Sequence, residues 1–137
     1  MKLISSLLLG ALLIFSPASF AKKSPLNLEI SSDVLSSKGN RYYSYNFGQV
    51  RVNWSEWADF YLRNTGNGPL YVQGVYISGS SAFRSWSNCP AYLYPGQSCL
   101  TRVEFSPWYE GYDTARLRFA LSGGNIYVDL GGWGVRY

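Results

Sequence analysis

At 137 residues, with 12 basic and 8 acidic side chains and no histidine, the chain has room for one domain with one core. It lacks the imidazole on which Ser-His-Asp and Cys-His catalysis depend, and two cysteines without histidine cannot complete a zinc site. The net charge of +4 is carried by scattered arginines, which argues against the clustered basic stripe of a nucleic-acid-binding surface.

The first segment reads MKLISSLLLGALLIFSPASFA. One lysine precedes an apolar run from Leu3 to Phe15, and small residues stand at Ser19 and Ala21. That is the layout of a secretory signal peptide over residues 1–21, with cleavage expected after Ala21. The run is shorter than the roughly 20 apolar residues a spanning helix needs, and no cysteine follows it to accept a lipid. No later segment is long and apolar enough to remain in a bilayer once the leader is removed. A secreted or periplasmic protein is expected. In such an oxidising compartment Cys89 and Cys99 should form a disulfide, not a reactive dithiol. For a loop of this size the chain-entropy model gives about 3 kcal/mol.

Residues 22–40 read as a polar lead-in with one candidate strand, Leu26 to Ser31. The domain proper is expected over residues 41–137, where the chain becomes rich in Tyr, Trp, Phe, Val, Gly and Asn, residues suited to pleated surfaces and turns. Period two recurs there and helical period does not. Ala58, Phe60 and Leu62 fall on one face of a strand, with Trp57, Asp59, Tyr61 and Arg63 on the other. The strand should stop at Asn64, before the turn-forming run Thr65 to Pro69. LYVQGVYISG reads as the next strand, with a bulge expected at Gly74, where no side chain hinders an irregular backbone.

Pro95-Gly96 marks a turn between the two cysteines. Cys99 then opens a strand whose Thr101, Val103 and Phe105 point inward and whose Arg102 and Glu104 point outward. Ala115, Leu117, Phe119 and Leu121 alternate with Arg116 and Arg118. Ile126, Val128 and Leu130 alternate with Tyr127 and Asp129. Short strands separated by turns, without helices to carry parallel crossovers, predict an all-β antiparallel β-sandwich. The cysteine pair should fasten an irregular loop to the start of a core strand.

A set of pieces in fixed order carries a resemblance. FGQV (47–50), LRNTGNGPLYVQGVYISG (62–79), Phe83, the C-P-x-x-L-x-P-G-x-S-C run (89–99), VEFSP (103–107), GYDTARLRF (111–119) and LGGWGV (130–135) together resemble the abnormal-spindle/hydin-type (ASH) immunoglobulin-like domain. In bacterial secreted proteins the same domain is met as the choice-of-anchor D type. The resemblance implies an immunoglobulin-like sandwich of seven to eight strands, related to major-sperm-protein and pilus-chaperone architecture. It implies a Cys89–Cys99 disulfide, an Asn-Thr-Gly turn at Asn64, Thr65 and Gly66, and a closing Gly-x-Gly at Gly132 and Gly134. Two features depart from it: the sequence holds one copy, not a tandem array, and it is far richer in Trp and Tyr.

An enzyme is not expected. Glu110 and Asp113 flank Gly111, and two carboxylates across a loop can bind calcium or cleave a glycosidic bond; solvated turn residues are the simpler account. No glycine run ends in the Gly-Lys-Ser/Thr of a phosphate-binding loop. No cofactor and no metal are expected, and no nucleic acid.

The aromatic excess is what a sandwich core does not explain, since such a core absorbs roughly half of these residues. By alternation Trp57 and Tyr61 point outward with Arg63 beside them. Trp108 and Tyr109 follow Pro107 in a turn, and Trp86 is expected in the loop before Cys89. Outward Trp and Tyr anchor protein partners or stack on sugar rings. The sequence therefore points to a non-enzymatic immunoglobulin-like module for protein–protein association or envelope assembly, its partner another envelope or extracellular protein. The alternative is binding of carbohydrate or cell-wall glycan through the outward aromatics.

Overall fold

A computed structural model describes residues 26–30 and 39–136. The signal peptide expected over 1–21 lies outside the described residues, as does most of the lead-in. The described residues form nine strand segments: β1 (Leu26–Ile30), β2 (Arg41–Arg51), β3 (Glu56–Asn64), β4 (Leu70–Gly79), β5 (Phe83–Ser87), the two-residue β6 (Tyr92–Leu93), β7 (Ser98–Phe105), β8 (Gly111–Leu121) and β9 (Gly124–Val135). They make a four-stranded sheet in the order β1-β3-β7-β5 and a five-stranded sheet in the order β2-β9-β8-β4-β6. From β1 to β8 each strand joins the sheet opposite its predecessor, and only the β8–β9 hairpin stays within one sheet.

Two pairings differ from the all-antiparallel expectation: β1 runs parallel to β3 and β2 runs parallel to β9. The remaining ladders are antiparallel.

The sequence periodicity fixes which face of each strand is buried. Along β3, Ala58, Phe60 and Leu62 are buried while Trp57 and Arg63 are exposed. Val103 and Phe105 of β7, Leu117 and Phe119 of β8 and Val128 of β9 lose all contact with solvent. Full burial of each such side chain contributes about 1.5–3 kcal/mol. The centre is aromatic: Phe83 stacks on Phe105 with ring centroids 4.6 Å apart, and Phe47 meets Phe83 at 5.7 Å and Phe105 at 5.6 Å. Phe47, Phe60, Phe83, Phe105 and Phe119 are all buried, whereas all five tryptophans are exposed, by 48 to 62%. Phenylalanine builds this core and tryptophan builds its surface.

The bulge expected at Gly74 is present. The β4–β8 register steps from Val72↔Leu121 to Gly74↔Ala120, leaving Gln73 as the extra residue. The Tyr76 phenol lies where a side chain at Gly74 would stand. The Pro95-Gly96 turn also forms. Gln97 N donates to Tyr94 O at 2.9 Å and Gly96 has φ 83°, a type II turn with proline and glycine in their preferred places.

Candidate binding surfaces

The two cysteines are bonded to each other, with Cα atoms 4.9 Å apart. Cys89 lies in the loop after β5 and Cys99 is the second residue of β7, as expected from the Pro95-Gly96 turn and the alternation that follows it. The same junction is tied by Asn88 N donating to Leu100 O at 3.0 Å and by Leu100 N donating to Asn88 Oδ1 at 2.8 Å. Beneath it the buried Thr101 hydroxyl donates to Ser87 Oγ at 2.9 Å. The bond holds the loop after β5 to a core strand.

The carboxylates beside Gly111 separate. Asp113 is the third residue of β8 and buried, accepting a 2.7 Å hydrogen bond from the Tyr109 hydroxyl. That bond, ahead of desolvation, holds the Tyr109 hydroxyl above its ordinary pKa range. Glu110 instead faces Arg136 at 3.6 Å, with both side chains largely exposed. The two acids do not address one ligand, and Asp113 is not the solvated turn residue its neighbours in sequence imply.

Strand register separates the sequence-predicted aromatics into three places. Trp57 opens β3 at the end of the sandwich where β2 and β9 finish and β8 begins. Trp108 and Tyr109 lie in the β7–β8 loop at that same end. Asn53 N donates to Pro107 O at 2.8 Å and Ser55 Oγ lies 3.1 Å from Ser106 Oγ, joining that loop to the β2–β3 loop. Trp54, which alternation does not single out, stands exposed on the second loop with the Arg51 guanidinium 5.4 Å from its ring. This end is an aromatic pole. Tyr61 and Arg63 lie farther along β3, opposite Leu100 and Ser98, and are not part of it.

Trp86 is in β5, not in a loop; it pairs with Arg102 in register. The chain enters its irregular stretch only after Ser87. On that outer face the Asp59 carboxylate receives two bonds from Arg102, at 2.7 and 3.0 Å. The Arg102 bonds hold the Asp59 carboxyl below its ordinary range.

A second surface, which single-strand alternation does not reveal, covers the outside of the five-stranded sheet. Register aligns Tyr42, Tyr127, Arg118 and Tyr76 across β2, β9, β8 and β4. Tyr42 and Tyr127 stack at 5.1 Å, and the Arg118 guanidinium lies 4.8 Å from the Tyr76 ring. The next row is polar: Ser44, Asp129, Arg116 and Ser78. Arg116 donates to both Asp129 oxygens, at 2.6 and 3.2 Å, and its guanidinium lies 4.9 Å from the Tyr127 ring. These bonds keep the Asp129 carboxyl below its ordinary range.

Two rows farther toward the pole, Tyr112 packs against Trp133 at 4.9 Å and lays its hydroxyl over Gly131, in the space a Cβ there would need. Between these aromatic rows lies an open trough of about 570 Å³, with Ser44, Ser78, Thr114, Arg116, Asp129 and Tyr112 in its lining.

Two packed sheets of this order, crossed strand by strand and riveted by one disulfide, make an immunoglobulin-like sandwich of the ASH type. The family model for the HYDIN/CFA65/VesB-like Ig-like domain matches residues 41–129, and the chain belongs to that family. Among solved structures it is similar to the secreted serine protease VesC from Vibrio cholerae, at 17% identity and TM-score 0.53, covering 65% of this chain and 21% of that one. It is similar to the Vibrio cholerae VesB protease at 17% identity and TM-score 0.54, covering 66% of this chain and 30% of that one. The ASH / PapD-like domain of human CEP192 matches at 15% identity and TM-score 0.53, over 71% of this chain and 84% of that one. The likeness to each is one of fold, and this chain spans under a third of either protease. No curated protein matches it in sequence.

Proposed function

We propose that this protein is a non-catalytic, extracytoplasmic immunoglobulin-like module that holds an envelope or extracellular protein through its aromatic pole. The observation that carries the reading is the gathering of Trp54, Trp57, Trp108 and Tyr109, each 46 to 62% exposed, at one end of a rigid sandwich. Trp, Tyr and Arg are the residues that dominate protein–protein binding energy. A patch of exposed large rings marks a site of interaction with another molecule. The Cys89–Cys99 bond supports an oxidising compartment. A fold that makes up 21% of VesC supports an accessory part over a self-sufficient catalyst.

The test is cross-linking of the full chain in envelope extract, in parallel with a Trp54→Ala/Trp108→Ala variant of unchanged thermal stability. One discrete protein adduct, lost in the variant, is expected. An adduct that survives both substitutions, or none at all, overturns the reading.

A further inference from the structure

We propose that the trough on the outer face of the five-stranded sheet is a binding site for a short neutral oligosaccharide. It is a different surface from the pole and independent of that reading.

The order of polarity across the trough selects the ligand. Protein interfaces place apolar rings at the centre and polar groups at the rim. Here the order is inverted. Ser44, Ser78, Thr114 and the Arg116–Asp129 pair line the trough with Tyr112 at one end, and register sets the Tyr42–Tyr127 row next to the Ser44–Asp129 row at the other. A sugar carries apolar C–H faces and a girdle of hydroxyls, so it matches rings at the ends and hydrogen-bonding groups between them. The rings are Tyr127 with its stacked neighbour Tyr42 on one side, and Tyr112 with Trp133 on the other.

Charge and size narrow it further. Arg116 and Asp129 cancel, so the floor attracts neither anion nor cation, yet both side chains are about half exposed and keep donors and acceptors for a ligand. A carboxylate and a guanidinium side by side form the strongest kind of hydrogen bond to vicinal hydroxyls. The volume of about 570 Å³ falls within the range of small-ligand sites. From the Tyr112 row to the Arg118 row is six residues, about 20 Å at the rise of an antiparallel strand, the span of a short oligosaccharide and not of a single ring.

Preformed rigidity supports the assignment. Each ring is held before any ligand arrives: Tyr42 by Tyr127, Tyr127 by Arg116, Tyr112 by Trp133 and by the space above Gly131. Binding then costs little side-chain entropy.

The experiment is titration of the full chain with neutral oligosaccharides of glucose, galactose, mannose and N-acetylglucosamine, and with sialylated and sulfated chains as anionic comparators. Calorimetry and intrinsic tryptophan fluorescence are the readouts. At least one neutral oligosaccharide should bind. Tyr112→Ala and Asp129→Asn should each weaken it about tenfold or more, the scale of one charged hydrogen bond or ring anchor. Trp54→Ala/Trp108→Ala should leave it unchanged, which separates failure of this site from failure of the pole. The proposal is overturned if no neutral sugar binds, if only anionic chains bind, if affinity survives both trough substitutions, or if those substitutions abolish capture of the protein partner instead.

Discussion

Asn64 reaches across 29 residues to donate a 2.8 Å hydrogen bond from Nδ2 to the carbonyl of Leu93, with neither side chain open to solvent. The same amide donates to Gly68 O at 2.8 Å and its Oδ1 accepts from Gly66 N at 2.9 Å. Its backbone carbonyl accepts from Gly96 N at 2.8 Å. One buried asparagine thus joins the β3–β4 turn, β6 and the Pro95-Gly96 turn. Replacing it with alanine strands two carbonyls and an N–H. At about 1–3 kcal/mol for each buried group left unpaired, Asn64→Ala is expected to lose at least 2 kcal/mol of unfolding free energy in urea titration. A loss under about 0.5 kcal/mol, the scale of a neutral surface change, counters this account.

Gly132 offers a second stability test. A Cβ there enters the space of the Phe105 ring, which is itself stacked on Phe83 in the core. Overpacking of this kind costs typically about 1–3 kcal/mol. Gly132→Ala should lower the melting temperature, and Phe105→Leu in the same chain should restore part of it by making room. Failure of the second substitution to compensate would place the damage elsewhere.

Opening the Cys89–Cys99 bond should act on stability alone. The two thiols rejoin β7 to its preceding loop through a junction that hydrogen bonds also hold, so the fold survives with a deficit of about 2–3 kcal/mol. Circular dichroism of a Cys89→Ala/Cys99→Ala variant should keep its strand signal while the urea midpoint falls. Loss of the fold itself would mean the bond does more than fasten.

Acid should weaken the sandwich through Asp59 and Asp129. Arg102 and Arg116 lower these carboxyl pKa values in the folded protein. The corresponding stability is present above the unfolded aspartate value of about 3.9 and is lost as pH falls through the lowered folded values. Melting temperature should be level from neutral pH down to about 5 and fall below about 4. Asp59→Asn/Asp129→Asn should flatten part of that acid limb. An unchanged limb in the double variant assigns it to other carboxylates.

The buried faces were legible because period two is a local signal: Phe60, Val103, Leu117 and Val128 declare their side one strand at a time. The Gly74 bulge was legible because a lone glycine interrupts a strand of β-formers, and the Pro95-Gly96 turn because glycine suits the positive φ its second place requires. The pairing of strands was not, since it depends on how far apart stretches meet. That is why Trp57 and Trp108 come together at the pole with Trp54, while Tyr61 does not join them. It is also why the Tyr42–Tyr127 and Tyr112–Trp133 rows escape a strand-by-strand reading. Arg116 and Arg118 read as outward from alternation, but nothing local says that Asp129 or Tyr76 will stand beside them. Trp86 was misplaced by its nearness to Cys89, whereas β5 extends to Ser87.

The parallel partnership of β2 with β9 joins strands far apart along the chain. β9 is the one ladder partner of β2 among the described strands, so before β9 is made β2 has no neighbour in its sheet. Closing so wide a loop is entropically expensive, and β-rich chains of such non-local topology fold in milliseconds to seconds where local ones need microseconds. Among the described strands, β2 can therefore take its place in the sandwich only once β9 has been made.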